Sequence, residues 1–193
     1  METMLSIFVG VGLSAACGFR IFVPLLIMSI ASLSGQLVLS PEFEWIATYP
    51  ALAAFSIATL FEISAYYIPW VDNLLDAFAV PAATVAGTIV MASAVSEMSP
   101  FLQWGLAVIV GGGVAGTIQG FTCITRIAST ATTGGLGNAV VSTAEAGGSI
   151  VMSILALTLP VVAVIAVVVI MLFASRKIYV WLSRRNKLQA QQE

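Results

Sequence analysis

The chain has 193 residues, 60% of them hydrophobic and only 8% charged, with a formal net charge of −2 and no histidine. Apolar runs of roughly 20 residues recur along nearly its whole length, which marks a polytopic α-helical membrane protein and leaves no stretch for a separate soluble module. Without histidine, and with Cys17 and Cys123 both inside apolar runs, it can build no thiol–imidazole metal site and no Ser/His/Asp or Cys/His nucleophile.

The first apolar run covers about 4–33. It opens with METM, which carries Glu2 and no Lys or Arg, whereas a cleaved signal peptide wants a basic start; it reads as an uncleaved first span. Gly18 and Pro24 interrupt it on either side of Arg20. Residues 34–47, SGQLVLSPEFEWIA, read as a loop with Pro41, Glu42 and Glu44. Span two covers about 48–68 and ends at Pro69, and the linker PWVDNLLD holds Asp72 and Asp76. Span three covers about 77–95 with Pro81 in its first turns, SEMSP at 96–100 is a turn, and span four covers about 101–126. The small, polar STATTGGLGN at 129–138 reads as a loop or a helix junction.

From Ala139 to Ser175 the chain is too long for one span and breaks near Thr158-Leu159-Pro160. The division gives span five at about 138–158 and span six at about 160–182; the alternative is a half-helix over 138–149 leading into one long tilted span. The expected fold is all-α, a polytopic membrane bundle of about six spans with broken helices. It forms one transmembrane domain over 1–182 and a basic, polar tail over 183–193.

Five of the seven basic residues lie between Arg176 and Lys187, which places that end in the cytoplasm. Six spans return the N-terminus to the same side and put the acidic loop 34–47 outside. The expected location is the cell inner (plasma) membrane. A weak repeat pairs Gly18-Phe19 with Gly120-Phe121 and AGTIVMAS at 86–93 with GGSIVMS at 147–153. On six spans the first pair is inverted and the second parallel, so duplication and chance similarity both stay open.

Four ionisable residues fall at depth: Arg20, Glu62, Arg126 and Glu145. Unpaired, they would together cost on the order of 10 kcal/mol at mid-membrane. Two of each sign suit pairing across helices or around a wet cavity, and the bland reading is a set of buried ion pairs that fixes helix register. Gly112, Gly116 and Gly120, four apart, form a close-packing stripe. Ala54 and Ala58 share a face with Glu62, which should point at protein, and Tyr66 one turn on is placed to hydrogen-bond Glu62. Asp72 and Asp76 stand one turn apart where span three begins; one explanation is helix capping, the other a site mouth facing the cytoplasm. Asn138, Ser142, Thr143 and Glu145 open span five after a Gly-rich segment and could present free N–H groups to an anion.

At VDNLLDAFAVPAATVAG, GLSAACGFRIFVPLL and GNAVVSTAEAGGS the sequence resembles a domain-of-unknown-function family of small multi-pass bacterial inner-membrane proteins with plant plastid relatives. The resemblance covers about residues 5–170, and its most recognisable elements fall here on Asp72, Asn73, Asp76, Pro81 and Glu145. It implies a multi-pass membrane fold and supplies no activity, substrate or catalytic residue.

The expected function is a small secondary transporter or exchanger for a small ion or a zwitterionic or anionic solute. Its pathway would be formed by Arg20, Glu62, Asp72, Asp76, Arg126, Asn138 and Glu145. Glu62 or Glu145 would couple to a proton or cation, and Arg20 or Arg126 would bind the anion. The alternatives are a homo-oligomeric ion channel with a carboxylate ring, a non-transporting partner protein with structural ion pairs, and a lipid-acting enzyme using carboxylates alone. No catalytic residue, metal or cofactor is expected. The expected partners are the lipid bilayer and a small ion or solute, with a homodimer left open and no nucleic acid. Reporter fusions at Gln36 and Gln189 should locate on opposite sides of the membrane; the same side for both would refute the six-span topology.

Overall fold

Proline sets most of the helix starts. Pro41, Pro50, Pro69 and Pro100 each occupy the first or second position of a helix, and Pro160 opens another. Proline fits there because its missing N–H would have no partner inside the helix in any case. The resulting elements are α1 (Glu2–Cys17), α2 (Phe22–Leu33), a 3-10 helix (Pro41–Ala47), α3 (Tyr49–Ala65), α4 (Pro69–Ala94), α5 (Pro100–Leu106), α6 (Gly113–Thr133), α7 (Asn138–Thr158) and α8 (Pro160–Gln189). A π turn, Ala107–Gly112, joins α5 to α6. This computed structural model describes residues 2–189, with side chains except those of Glu2, Pro69, Trp70, Asn73 and residues 177–189. Residues 190–193 of the expected tail, and the side chains of its basic run from Lys177 onward, lie outside the described residues.

The expected all-helical fold is what forms, with no strand among the described residues. Among the described residues three helices are long and apolar enough to cross a bilayer: Leu74–Ala94, Pro100–Thr133 and Asn138–Thr158. The 3-10 helix and α3, bent by 66°, make a fourth if counted as one broken span. Thr3–Cys17, Phe22–Leu33 and the Pro160–Arg176 part of α8 are apolar helical stretches of 10–17 residues. The expected first span is thus two short helices rather than one, and α4 starts at Pro69, before the expected 77. Of the two readings of 138–158, the structure takes the continuous helix.

Burial is inverted relative to a water-soluble domain. Phe61 and Phe101 are 72% and 86% exposed, whereas Arg20 and Arg126 are 1% exposed. An apolar exterior around a polar interior is what a hydrocarbon solvent selects.

At the centre lies α1, which packs against α4, α6, α7 and α8. Its Ala15, Ala16 and Cys17 are fully buried. The Ser14 hydroxyl donates to the Gly87 carbonyl at 2.9 Å, and the Ser149 hydroxyl donates to the Ala16 carbonyl at 3.0 Å. The two similar blocks, 86–93 on α4 and 147–153 on α7, therefore both pack on α1. Gly18 and Gly120 do not correspond: one ends α1, the other lies inside α6.

Two further expectations are corrected. Residues 34–47 are not wholly a loop: Pro41–Ala47 is a 3-10 helix, Phe43 and Ile46 are buried, and Gln103 ties Ser40 to the Ala92 carbonyl. Their aromatic and aliphatic side chains are worth more inside the bundle than in a loop. On α3 the packed face is Ala51, Phe55 and Thr59, while Ala54 is exposed. Phenylalanine fills the contact that alanine cannot.

The tightest helix approach is between α4 and the π turn. A Cβ on Gly87 would lie 2.6 Å from the Gly111 carbonyl oxygen, and one on Gly112 would lie 3.2 Å from the Thr84 carbonyl. Gly116 faces the Thr84 hydroxyl, so two glycines of the expected stripe pack within the chain, and Gly120 has open space beside it. Gly87→Ala should cost about 1–3 kcal/mol through overpacking. Gly120→Ala should be neutral or stabilising, by up to about 1 kcal/mol of helix propensity. Thermal unfolding in detergent checks both, and equal effects would contradict this packing.

Candidate functional site

The site begins where the first helix breaks. After Gly18 the backbone leaves α1, and α2 starts at Phe22 with Pro24 in its first turn. A helix start leaves N–H groups without intrahelical partners, which hydrocarbon cannot satisfy. Proline removes one of these donors. Glu62, from α3, takes two more: its carboxylate accepts from Ile21 N–H at 2.7 Å and from Phe22 N–H at 3.0 Å. Tyr66 does not serve Glu62 as expected; its ring lies against both arginines, 3.9 Å from the guanidinium carbon of Arg20 and 4.0 Å from that of Arg126. Desolvated cation–π contacts of this kind contribute about 2 kcal/mol each.

The break aims Arg20 into the bundle. Its Nη2 donates to the Ser142 carbonyl at 3.0 Å and to the Ser142 hydroxyl, and lies 3.4 Å from Glu145. Arg126 closes the buried face of α6 that runs through Ala115, Ile118 and Thr122. It forms a two-pronged pair with Glu145, with Nε at 3.1 Å, while Nη1 reaches Asp72 and, at 3.4 Å, Asp76. Glu145 therefore bridges the two arginines. Asn138 extends the network by donating to Asp72 at 3.0 Å and to the Thr130 hydroxyl at 3.0 Å.

Of the seven residues expected to form a pathway, Arg20, Asp72, Asp76, Arg126, Asn138 and Glu145 belong to one connected network. Glu62 is tied in through the backbone beside Arg20. Asp72 is buried, because the early start of α4 carries it into the interior, and it lines a cavity beside the network. The balance expected from two residues of each sign is corrected too. With Asp72 and Asp76 drawn in, three carboxylates face two guanidinium groups, and Glu62 stands alongside.

Sequence reasoning missed Thr130, the stacking role of Tyr66, and Ser142 as the acceptor for Arg20. One signal was available: the buried face of α7 reads Asn138, Ser142, Glu145, Ser149, Ser153, a polar stripe at helical spacing in an apolar helix.

Cavities adjoin the network. One of about 210 Å³ is lined by Tyr66, Tyr67, Asp72, Thr130, Gly135 and Asn138. A larger apolar one, about 410 Å³, is lined by Phe22, Phe61, Glu62, Tyr66 and Phe78. Among the described residues no three Cys, Asp or Glu are grouped to hold a metal ion.

Three residues stand out against this tight bonding, Arg20, Asn138 and, outside the network, Thr59, whose buried hydroxyl has no partner among the described residues. Arg20 Nε and Nη1 are buried and meet no hydrogen-bond acceptor among the described residues, and Asn138 Oδ1 meets no donor there. Buried polar atoms are nearly always paired, so each exception asks for a reason.

Glu62→Gln retains one acceptor oxygen and turns an NH2 group toward the second backbone N–H. It should lower stability by about 1–3 kcal/mol, the cost of stranding a buried donor. Thermal unfolding of the purified variant measures this; an unchanged melting point would remove Glu62 from its capping role.

No curated protein and no solved structure matches the chain. A family model does, over residues 7–179, nearly the whole of the bundle and all of the charge network: the chain belongs to the DUF4126 family, a domain of unknown function.

Proposed function

We propose that the protein is a small secondary transporter or exchanger of the cell inner (plasma) membrane, with both termini cytoplasmic. It moves a small solute that carries a negative charge. The observation that carries this reading is Arg20. Its guanidinium is 1% exposed and stays charged at any working pH, yet Nε and Nη1 have no acceptor. The two free donors lie on different edges of the guanidinium, and each can give one charge-assisted hydrogen bond to an oxygen of a carboxylate or similar anion. Glu145, which already touches Arg20, is the group such an anion displaces or shares with. The inverted burial and the apolar helices support a membrane setting.

A purely structural ion-pair lock is the second reading. Arg126 favours it, since each of its three nitrogens is engaged by a carboxylate. Arg20 does not fit it, because a lock gains nothing from unpaired donors.

Proteoliposomes test the proposal. Small carboxylates and amino acids are offered in turn under imposed proton and sodium gradients, and uptake is followed with radiolabelled solute. The expected result is saturable, gradient-dependent uptake of one class, lost in Arg20→Lys while the variant still elutes as folded protein. Current without added solute would indicate the channel instead. No solute-dependent flux by folded protein would refute transport.

A further inference from the structure

We propose that the cavity beside Asp72 is a binding site for a monovalent alkali-metal cation, held by the Asn138 amide oxygen, the Asp72 carboxylate and the Thr130 hydroxyl. The orientation of the Asn138 amide is fixed by its neighbours. Both hydrogens of its nitrogen are spent, on Asp72 and on Thr130, so its oxygen is the end left over. That oxygen is buried, has no donor, and belongs to a residue only 8% exposed that lines the cavity. An amide oxygen, a carboxylate and a hydroxyl are hard ligands that suit hard cations.

Charge points the same way. The ion-paired cluster holds Asp72, Asp76 and Glu145 against Arg20 and Arg126, an excess of one negative charge before Glu62 is counted. A monovalent cation beside Asp72 offsets that excess. A divalent ion is less well served, because the site offers a single carboxylate already shared with Arg126. The α6 helix ends here as well, at the left-handed Gly134 with φ of 65°, and a helix C-terminus is the end that favours positive charge. The cavity reaches Thr130 and Tyr67, both exposed, so it opens at the surface of the chain.

The role of this site as a coupling site rests on the transport reading; cation binding itself does not. Thermal unfolding of the full chain in detergent is followed in sodium, potassium or lithium chloride against choline chloride at equal ionic strength. Radiolabelled sodium binding is measured alongside. The expected result is a saturable rise in melting temperature with at least one alkali cation and not with choline. Thr130→Val should weaken the apparent affinity roughly 10-fold, and Asn138→Leu should abolish the shift. If Asn138→Leu does not fold, Thr130→Val, on an exposed position, decides. Identical melting in all four salts, a shift given only by calcium or magnesium, or a shift untouched by Thr130→Val would overturn the site. Cation binding without solute-coupled flux would sink the transport reading and leave the site standing. Sodium-independent solute flux with no cation shift would do the reverse.

Discussion

Two guanidinium groups inside an apolar bundle set the conditions for everything around them. Neither can shed its proton, so neither can lower its burial cost by becoming neutral. Each must be met by carboxylates, carbonyls or ring faces, and those come from different helices. Arg126 alone requires α4 for Asp72 and Asp76, α7 for Glu145 and the end of α3 for Tyr66. Arg20 adds the break after α1. In hydrocarbon there is little hydrophobic force between helices. Charge pairing and the small-residue contacts of α1, α4 and the π turn therefore decide which helices are neighbours.

The break in the first helix follows from the same constraint. Gly18 and Pro24 make a continuous helix unfavourable, but an interrupted one exposes N–H groups in a medium that cannot hydrogen-bond them. Glu62 resolves this with two oxygens, one for Ile21 and one for Phe22. Its charge sits at a helix N-terminus, where the dipole favours it. The interruption thus lets Arg20 leave the helix line and reach α7.

Much of this was legible in the residues. Arg20 between Gly18 and Pro24 announces a broken helix and an interior charge. The Thr158-Leu159-Pro160 break separates α7 from α8 where expected. The partners of Arg126 were not legible, because Asp72 and Asp76 look like residues of a linker until α4 is known to start at Pro69. Tyr66 was equally hidden: its spacing from Glu62 on one helix suggests a hydrogen bond, and only the approach of two other helices turns its ring toward the arginines. Pairing within one helix can be read from spacing, whereas pairing between helices depends on depth and rotation, which no single sequence states.

The connectivity of the network suggests how an anion at Arg20 and a cation at Asp72 would sense each other. Arg20 touches Glu145, Glu145 touches Arg126, Arg126 touches Asp72, and Asp72 accepts from Asn138. An anion that engages Arg20 weakens its hold on Glu145, which then binds Arg126 more fully. Arg126 in turn holds Asp72 less tightly, and the freed carboxylate density is available to a cation. The reverse order works equally well, as linkage requires. Two ligands of opposite sign would therefore bind more tightly together than apart, without a change in the cluster's own charge. The chain of contacts runs from an unpaired donor on Arg20 to an unpaired acceptor on Asn138, the two ends at which such ligands would act.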